Sequence, residues 1–366
     1  MSSPLHRLSE HGQSVWIDFI SRTALASGGD IPTMIADDAV VGLTSNPTIF
    51  EQAISSGDAY DDQIRSLSDR HLNAKEVFLE LALQDIEAAC DLLRPTWEQT
   101  GHLDGYVSIE VDPTLAHDAA ATIAEAQELH DRVDRPNVLV KIPATLEGLG
   151  AIEETIAVGV SVNVTLIFSL ERYVAVAEAY LAGLERLVAA GGDPSTIASV
   201  ASFFVSRVDT EGDKRLEAAG HPELCGKLAI ANAKLAYERY QELFSSQRFT
   251  ALKDKGATPQ RCLWASTSTK NPAYRDVLYV EELIGRETVN TMPEATVRAF
   301  ADHGVVEDTL TRDLPAAHAL IDQLRAVGVE YEDVTATIER EGVEKFEKSF
   351  HDLLAGIERK RSALVA

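Results

Sequence analysis

Three ionisable side chains stand where chemistry is possible. Lys141 lies inside Val138-Leu139-Val140-Lys141-Ile142-Pro143-Ala144-Thr145, an apolar run with the branched content of a buried strand. Burying an ammonium ion is costly, and the cost favours the neutral amine unless a partner charge keeps the proton in place. A neutral lysine is a nucleophile, and the reaction that uses one is Schiff-base formation with a carbonyl. Aldol chemistry of that kind also needs groups that take and return protons, and Asp18 and Glu110 end two other branched runs. The bland alternative is a lysine that snorkels from a strand end or pairs with a carboxylate.

The elements that must position these residues repeat one layout, a short branched or aromatic run that turns polar at its carboxyl end and leads into a helix. In chain order the runs are Val15–Ile20, Val40–Asn46, Gly105–Val111, Val138–Ala144, Val160–Phe168, Ile197–Ser206, Arg261–Ser266 and Thr288–Met292. Apolar residues at helical spacing fill Ala74–Leu93, Leu115–Val133, Leu149–Ala157, Leu170–Val188 and Leu228–Phe244. Strand alternating with helix predicts a parallel sheet, and eight such strands fit an α/β fold of the (β/α)8 TIM-barrel type. A doubly wound sheet is the rival, but no GxGxxG follows a strand and no GxxxxGK[ST] is present.

Side-chain parity sharpens the barrel reading, because successive strand residues face opposite ways. Val138, Val140 and Ile142 share one face and leave Leu139 and Lys141 on the other; Val107, Ile109 and Val111 oppose Ser108 and Glu110. Val15, Ile17 and Phe19 oppose Trp16 and Asp18, and Val162, Val164 and Leu166 oppose Asn163 and Thr165. The polar set Asp18, Thr44, Asn46, Glu110, Lys141, Asn163, Thr165, Ser202 and Ser266 is therefore expected at the mouth formed by the carboxyl ends of the strands.

Composition narrows the partners. Acidic residues outnumber basic ones 58 to 33, for a net charge of −25 over 366 residues, which argues against nucleic acid or an anionic membrane. An anionic substrate then needs a local basic cluster working against that field. Cys90, Cys225 and Cys262 form no CxxC pair and read as free thiols in a reducing compartment. The ten histidines show no HExxH or other paired ligand spacing, so no metal site is expected. No secretion signal and no apolar run of ~18 residues appears, and the expectation is a soluble, cytoplasmic protein. No linker divides the chain. One catalytic domain is expected over residues 1–366, with an extension over 1–13 and a helical segment over 305–366 packed on the barrel. In that segment Phe346, Phe350, Leu353, Leu354 and Ile357 form an apolar stripe at helical spacing.

Six blocks resemble the transaldolase family, in its longer bacterial branch. They are Trp16-Ile17-Asp18-Phe19-Ile20-Ser21-Arg22, Gly42-Leu43-Thr44-Ser45-Asn46-Pro47-Thr48, Ser108-Ile109-Glu110-Val111-Asp112 and Val140-Lys141-Ile142-Pro143-Ala144-Thr145, then Asn163-Val164-Thr165-Leu166-Ile167-Phe168-Ser169 and Trp264-Ala265-Ser266-Thr267-Ser268-Thr269-Lys270-Asn271-Pro272. The resemblance implies a circularly permuted class I aldolase barrel. It also implies cofactor-free transfer of a dihydroxyacetone unit from sedoheptulose 7-phosphate to glyceraldehyde 3-phosphate, giving erythrose 4-phosphate and fructose 6-phosphate, in the non-oxidative pentose phosphate pathway. The expected partners are small sugar phosphates, met by a monomer or homodimer.

In that reading Lys141 forms the Schiff base, Asp18 takes the C4 hydroxyl proton, and Glu110 shuttles protons with Thr165 placing the water. Thr44 supports the network, and Asn46, Asn163 and Ser202 bind the hydroxyls of the three-carbon unit. Arg207 matches the family's phosphate arginine. Lys270 stands where a second arginine is usual, with Arg275 as a nearby substitute, and Ser266 precedes it at the strand end. Phe203 and Ser206 replace a proline and a glycine common in relatives. The nearest rival is a fructose 6-phosphate aldolase, which releases free dihydroxyacetone. By resemblance such enzymes carry glutamine at the position of Glu110 and tyrosine at that of Phe204, so Glu110 and Phe204 favour transfer. A non-catalytic sugar-phosphate binding barrel is a further alternative; it has no use for a desolvated lysine between two carboxylates. A pyridoxal-phosphate enzyme, the other user of a Schiff-base lysine, would be yellow.

Overall fold

The computed structural model describes residues 3–365; Met1, Ser2 and Ala366, the outer ends of the two terminal segments, lie outside the described residues. Eight parallel strands follow one another around a closed barrel: β1 (Gln13–Ile17), β2 (Val40–Thr44), β3 (Tyr106–Glu110), β4 (Val138–Pro143), β5 (Val162–Ile167), β6 (Ser199–Phe204), β7 (Arg261–Ala265) and β8 (Thr288–Met292). Pairing of β8 back onto β1 closes the ring and excludes a doubly wound sheet. The strands other than β8 are shorter than the sequence runs. At several carboxyl ends a polar residue leaves the ladder to cap the helix that follows. Asn46 accepts from Ile49 N at 3.1 Å, Thr145 Oγ1 from Gly148 N at 3.0 Å and Ser169 Oγ from Arg172 N at 3.1 Å.

Alternation decides what fills the barrel. Register sets Glu110 beside Lys141 and Lys141 beside Asn163, so these three face inward together. Lower down, the Trp16 indole occupies the interior, and a Cβ on its neighbour Gly42 would sit 2.4 Å from the ring. Only glycine leaves room there. Beneath the indole, Asp104 accepts from Trp16 Nε1 (3.0 Å), Ser14 Oγ (2.7 Å) and Arg261 Nη2 (2.9 Å), a buried ion pair that plugs the amino-terminal end. One expectation of parity fails. Leu166 has φ +61° and lies in a register break between Val164 and Ile167, so it does not continue the outer face of Val162 and Val164. Its side chain instead meets the closing helix, 3.4 Å from where a Cβ on Gly342 would stand.

The surrounding helices follow the apolar periodicity. The first long one extends further than expected, Ala74–Gln99, passing through Pro95. Its last turn is held by packing, with Trp97 stacked on His102 at 3.6 Å. Residues before β1 form the helix Pro4–Glu10, which buries Leu5 and Leu8. The carboxyl-terminal segment forms helices Leu314–Ala326 and Tyr331–Val365. The second buries Phe346, Phe350, Leu353 and Ile357 and packs on helices Pro47–Ser55, Asp61–Ser68 and Ala74–Gln99. Phe78 lies edge-on between Phe50 (5.5 Å) and Phe350 (5.8 Å) at that junction. No helix among the described residues is long and apolar enough to cross a membrane.

Candidate active site

A cavity of about 300 Å³ opens at the carboxyl ends of the strands, and Lys141 lies at its base. The lysine side chain is only 5 % exposed. Its ammonium is answered from two sides: Nζ lies 3.1 Å from Glu110 Oε2 and donates to the Ser45 carbonyl at 3.0 Å. The Phe346 ring, from the closing helix, stands 5.8 Å above it. A lysine, a carboxylate and an aromatic ring are thus brought together by β4, β3 and a helix near the end of the chain.

The two carboxylates differ in environment. Burial pushes the Glu110 carboxyl up to about 7, against the opposing pull of the Lys141 ammonium, which places its proton exchange in the neutral range. Glu110 does not line the mouth. It lines a narrow pocket of about 20 Å³, room for about one water, together with Lys75, Asp112 and Glu125. There Lys75 bridges Asp112 at 2.7 Å and Glu125 at 3.0 Å. Asp18 does line the mouth, and burial raises its carboxyl as well, again opposed first by Lys141. Thr44 Oγ1 donates to Asp18 Oδ1 at 2.7 Å and lies 2.8 Å from Thr291 Oγ1, fixing the carboxylate that faces the lysine. One lysine between two destabilised carboxylates is a site able to form an imine and move protons around it.

Residues 15–357 match the family model described as transaldolase/fructose-6-phosphate aldolase. The chain belongs to this family. A protein named transaldolase from Thermobifida fusca is 54 % identical over 367 residues, covering 99 % of this chain and all of the relative. Transaldolases from Frankia alni and Acidothermus cellulolyticus are 53 % and 54 % identical, each covering 98 % of this chain and 97 % of the relative.

The rest of the expected family site is distributed unevenly. Asn46, Thr165, Ser202, Phe204, Ser266, Arg207 and Lys270 all line the cavity. Asn46 spends Oδ1 on capping its helix, which leaves the amide nitrogen for a ligand. Thr165 is fully buried and its hydroxyl has no protein partner among the described residues. Asn163 is the exception: it does not line the cavity, because Nδ2 donates to Ser108 Oγ at 3.0 Å and Oδ1 accepts from Ser202 at 2.7 Å. In this arrangement it holds Ser202, which does line the cavity.

At the outer end, Arg207 is held over Phe204 (5.1 Å) and Phe346 (5.7 Å) by cation–π contact, and burial lowers its ordinary affinity for the proton. Lys270 donates to Ser268 Oγ at 2.7 Å. Arg275 is excluded as its substitute: it is committed to Glu281 at 2.9 Å and to the His303 carbonyl at 2.7 Å, outside the cavity. Sequence reasoning missed Thr291, Lys345 and Phe346 in the mouth and Ser45 beside Lys141. Thr291 follows from β8 parity. Ser45 acts through its carbonyl, which no residue type advertises. Lys345 and Phe346 lie about two hundred residues from Lys141 in sequence, on a helix that reads as a brace.

Proposed function

We propose that the protein is a transaldolase, in which the barrel and its closing helical segment act as one catalytic unit on sugar phosphates. The observation that carries the reading is the buried Lys141 ammonium, 3.1 Å from a carboxylate whose proton exchange is tuned to neutral pH, at the base of an open cavity. Glu110 removes the ammonium proton, and the freed amine attacks the ketose C2. The C2 hydroxyl then leaves as water with a proton returned by Glu110, and an iminium remains on Lys141. Asp18 takes the C4 hydroxyl proton; the C3–C4 bond breaks, an aldehyde departs, and the electron pair passes into the iminium to give an enamine. An acceptor aldehyde is attacked by C3 of that enamine, and Asp18 returns its proton to the new alkoxide.

Retention of the fragment distinguishes transfer from simple cleavage. Supporting it, the Phe346 ring roofs Lys141, and Phe204 offers no hydroxyl to the same space. The full-length relatives named transaldolase support the same reading over an aldolase that releases dihydroxyacetone. We place the activity in the cytoplasm, in the non-oxidative pentose phosphate pathway. The test is incubation with fructose 6-phosphate, borohydride reduction and peptide mass spectrometry, and, in a separate unreduced sample, transfer to erythrose 4-phosphate. A reduced three-carbon adduct on Lys141 and formation of sedoheptulose 7-phosphate are expected. An unmodified Lys141 in folded protein would leave a sugar-phosphate binding barrel instead.

A further inference from the structure

We propose that Lys345 is a third ligand of the substrate phosphate, so that the closing helix Tyr331–Val365 is a wall of the active site and not only a brace. The inference rests on the sugar-phosphate reading above and adds a residue to it. Three observations converge. First, the helix touches the phosphate end: a Cβ on Gly342 would stand 3.4 Å from Arg207 Nη1, so the bare backbone of that turn lies against the guanidinium. One turn further on, Lys345 lines the same cavity as Arg207 and Lys270.

Second, the helix register is pinned. Phe346 is buried with its ring 5.7 Å from Arg207 and 5.8 Å from Lys141. Ser349 accepts from Thr48 Oγ1 at 2.9 Å, and Phe350 packs on Phe78. With those contacts made, the residue before Phe346 has to emerge at the mouth.

Third, the charges at this end are unanswered. Among the described residues, no carboxylate lies within ion-pair distance of Arg207, Lys270 or Lys345. Arg207 is the main influence lowering Lys345, followed by burial; Lys345 and Arg207 both lower Lys270, after burial. Asp18 pulls the other way on Lys270, and Asp18 and Glu110 on Arg207, but both carboxylates flank Lys141 deeper in the barrel. Three cations that repel one another, in a chain of net charge −25, describe a place kept for a dianion. They come from the helix after β6, the loop after β7 and the closing helix.

The experiment compares the wild type with Lys345→Ala, Lys345→Arg and a control, Lys348→Ala, whose lysine pairs with Asp352 outside the cavity. Binding of inorganic phosphate is measured by calorimetry. In parallel, kcat/KM is measured for glyceraldehyde 3-phosphate and for unphosphorylated glyceraldehyde as acceptors. Lys345→Ala should weaken phosphate binding about tenfold, a change of ~1.4 kcal/mol. It should lower kcat/KM for the phosphorylated acceptor by a similar factor and much less for glyceraldehyde. Lys345→Arg should recover most of the loss, and Lys348→Ala should match the wild type. A loss below threefold, or an equal loss on both acceptors, overturns the proposal. Should the wild type transfer nothing, the activity reading fails, while the phosphate titration still decides the role of Lys345.

Discussion

Replacing Lys141 by methionine separates the cost of the buried carboxylates from their use. Methionine keeps the length and apolar stem of lysine but removes the charge that opposes burial of Glu110. In the wild type the Glu110 carboxyl moves from its ordinary value of 4.5 to about 7 on folding. The native state therefore binds more protons than the unfolded chain in that window, and stability falls by ~1.4 kcal/mol per pH unit as pH rises through it. Above about pH 7 the decline ends, because the carboxylate ionises beside the ammonium 3.1 Å away. Without Lys141 the native carboxyl stays neutral and the decline continues. By pH 9, two units higher, the variant should lie ~3 kcal/mol further below the wild type than at pH 7 from Glu110 alone. Asp18, also raised by burial and also opposed by Lys141, adds in the same direction. Loss of the bond to the Ser45 carbonyl contributes an offset that does not depend on pH. Urea titrations at pH 6, 7, 8 and 9, read by fluorescence of the buried Trp16 and Trp264, measure the difference. Stability differences that stay parallel from pH 7 to pH 9 would refute the assignment of Glu110 and Lys141 as a mutually dependent buried pair.

Glu110→Gln keeps the shape but cannot shuttle protons, and turnover should drop by ~10²–10⁴-fold, with borohydride trapping at Lys141 slowed in the same experiment. Arg207→Ala should raise KM for sugar phosphates about tenfold or more, whereas Arg275→Ala, whose guanidinium is held by Glu281 outside the cavity, should leave KM within about twofold; steady-state kinetics on both variants checks the contrast. Asn163→Ala leaves Ser108 and Ser202 without their shared partner in the barrel interior. It should cost ~1–3 kcal/mol in denaturant unfolding and reduce kcat more than it changes KM, since its amide supports Ser202 and does not reach the cavity.

The sequence by itself determined the eight strands, the inward placement of Lys141 and Glu110 and the carboxyl-end mouth. Strand periodicity and helix spacing are local, and a two-residue alternation states which side chains share a face. It also determined that Asp18 and Thr44 belong to one mouth, and the family resemblance added Arg207 to it. The tertiary structure alone decided what lies opposite those faces. The apolar spacing ends at Leu93, yet the helix continues through Pro95 to Gln99, where Trp97 stacks on His102. Leu166 reads as an outer-face residue, yet a break in register turns it toward Gly342. Asn163 reads as a ligand at the mouth, and the structure shows its amide bonded to Ser108 and Ser202 on neighbouring strands. The apolar stripe from Phe346 to Ile357 predicted a packed helix but not that Phe346 and Lys345 reach the site. Alternation and spacing record which way a side chain faces on its own element. Which distant element it then faces depends on ring closure and on packing between surfaces that the chain brings together only when it folds.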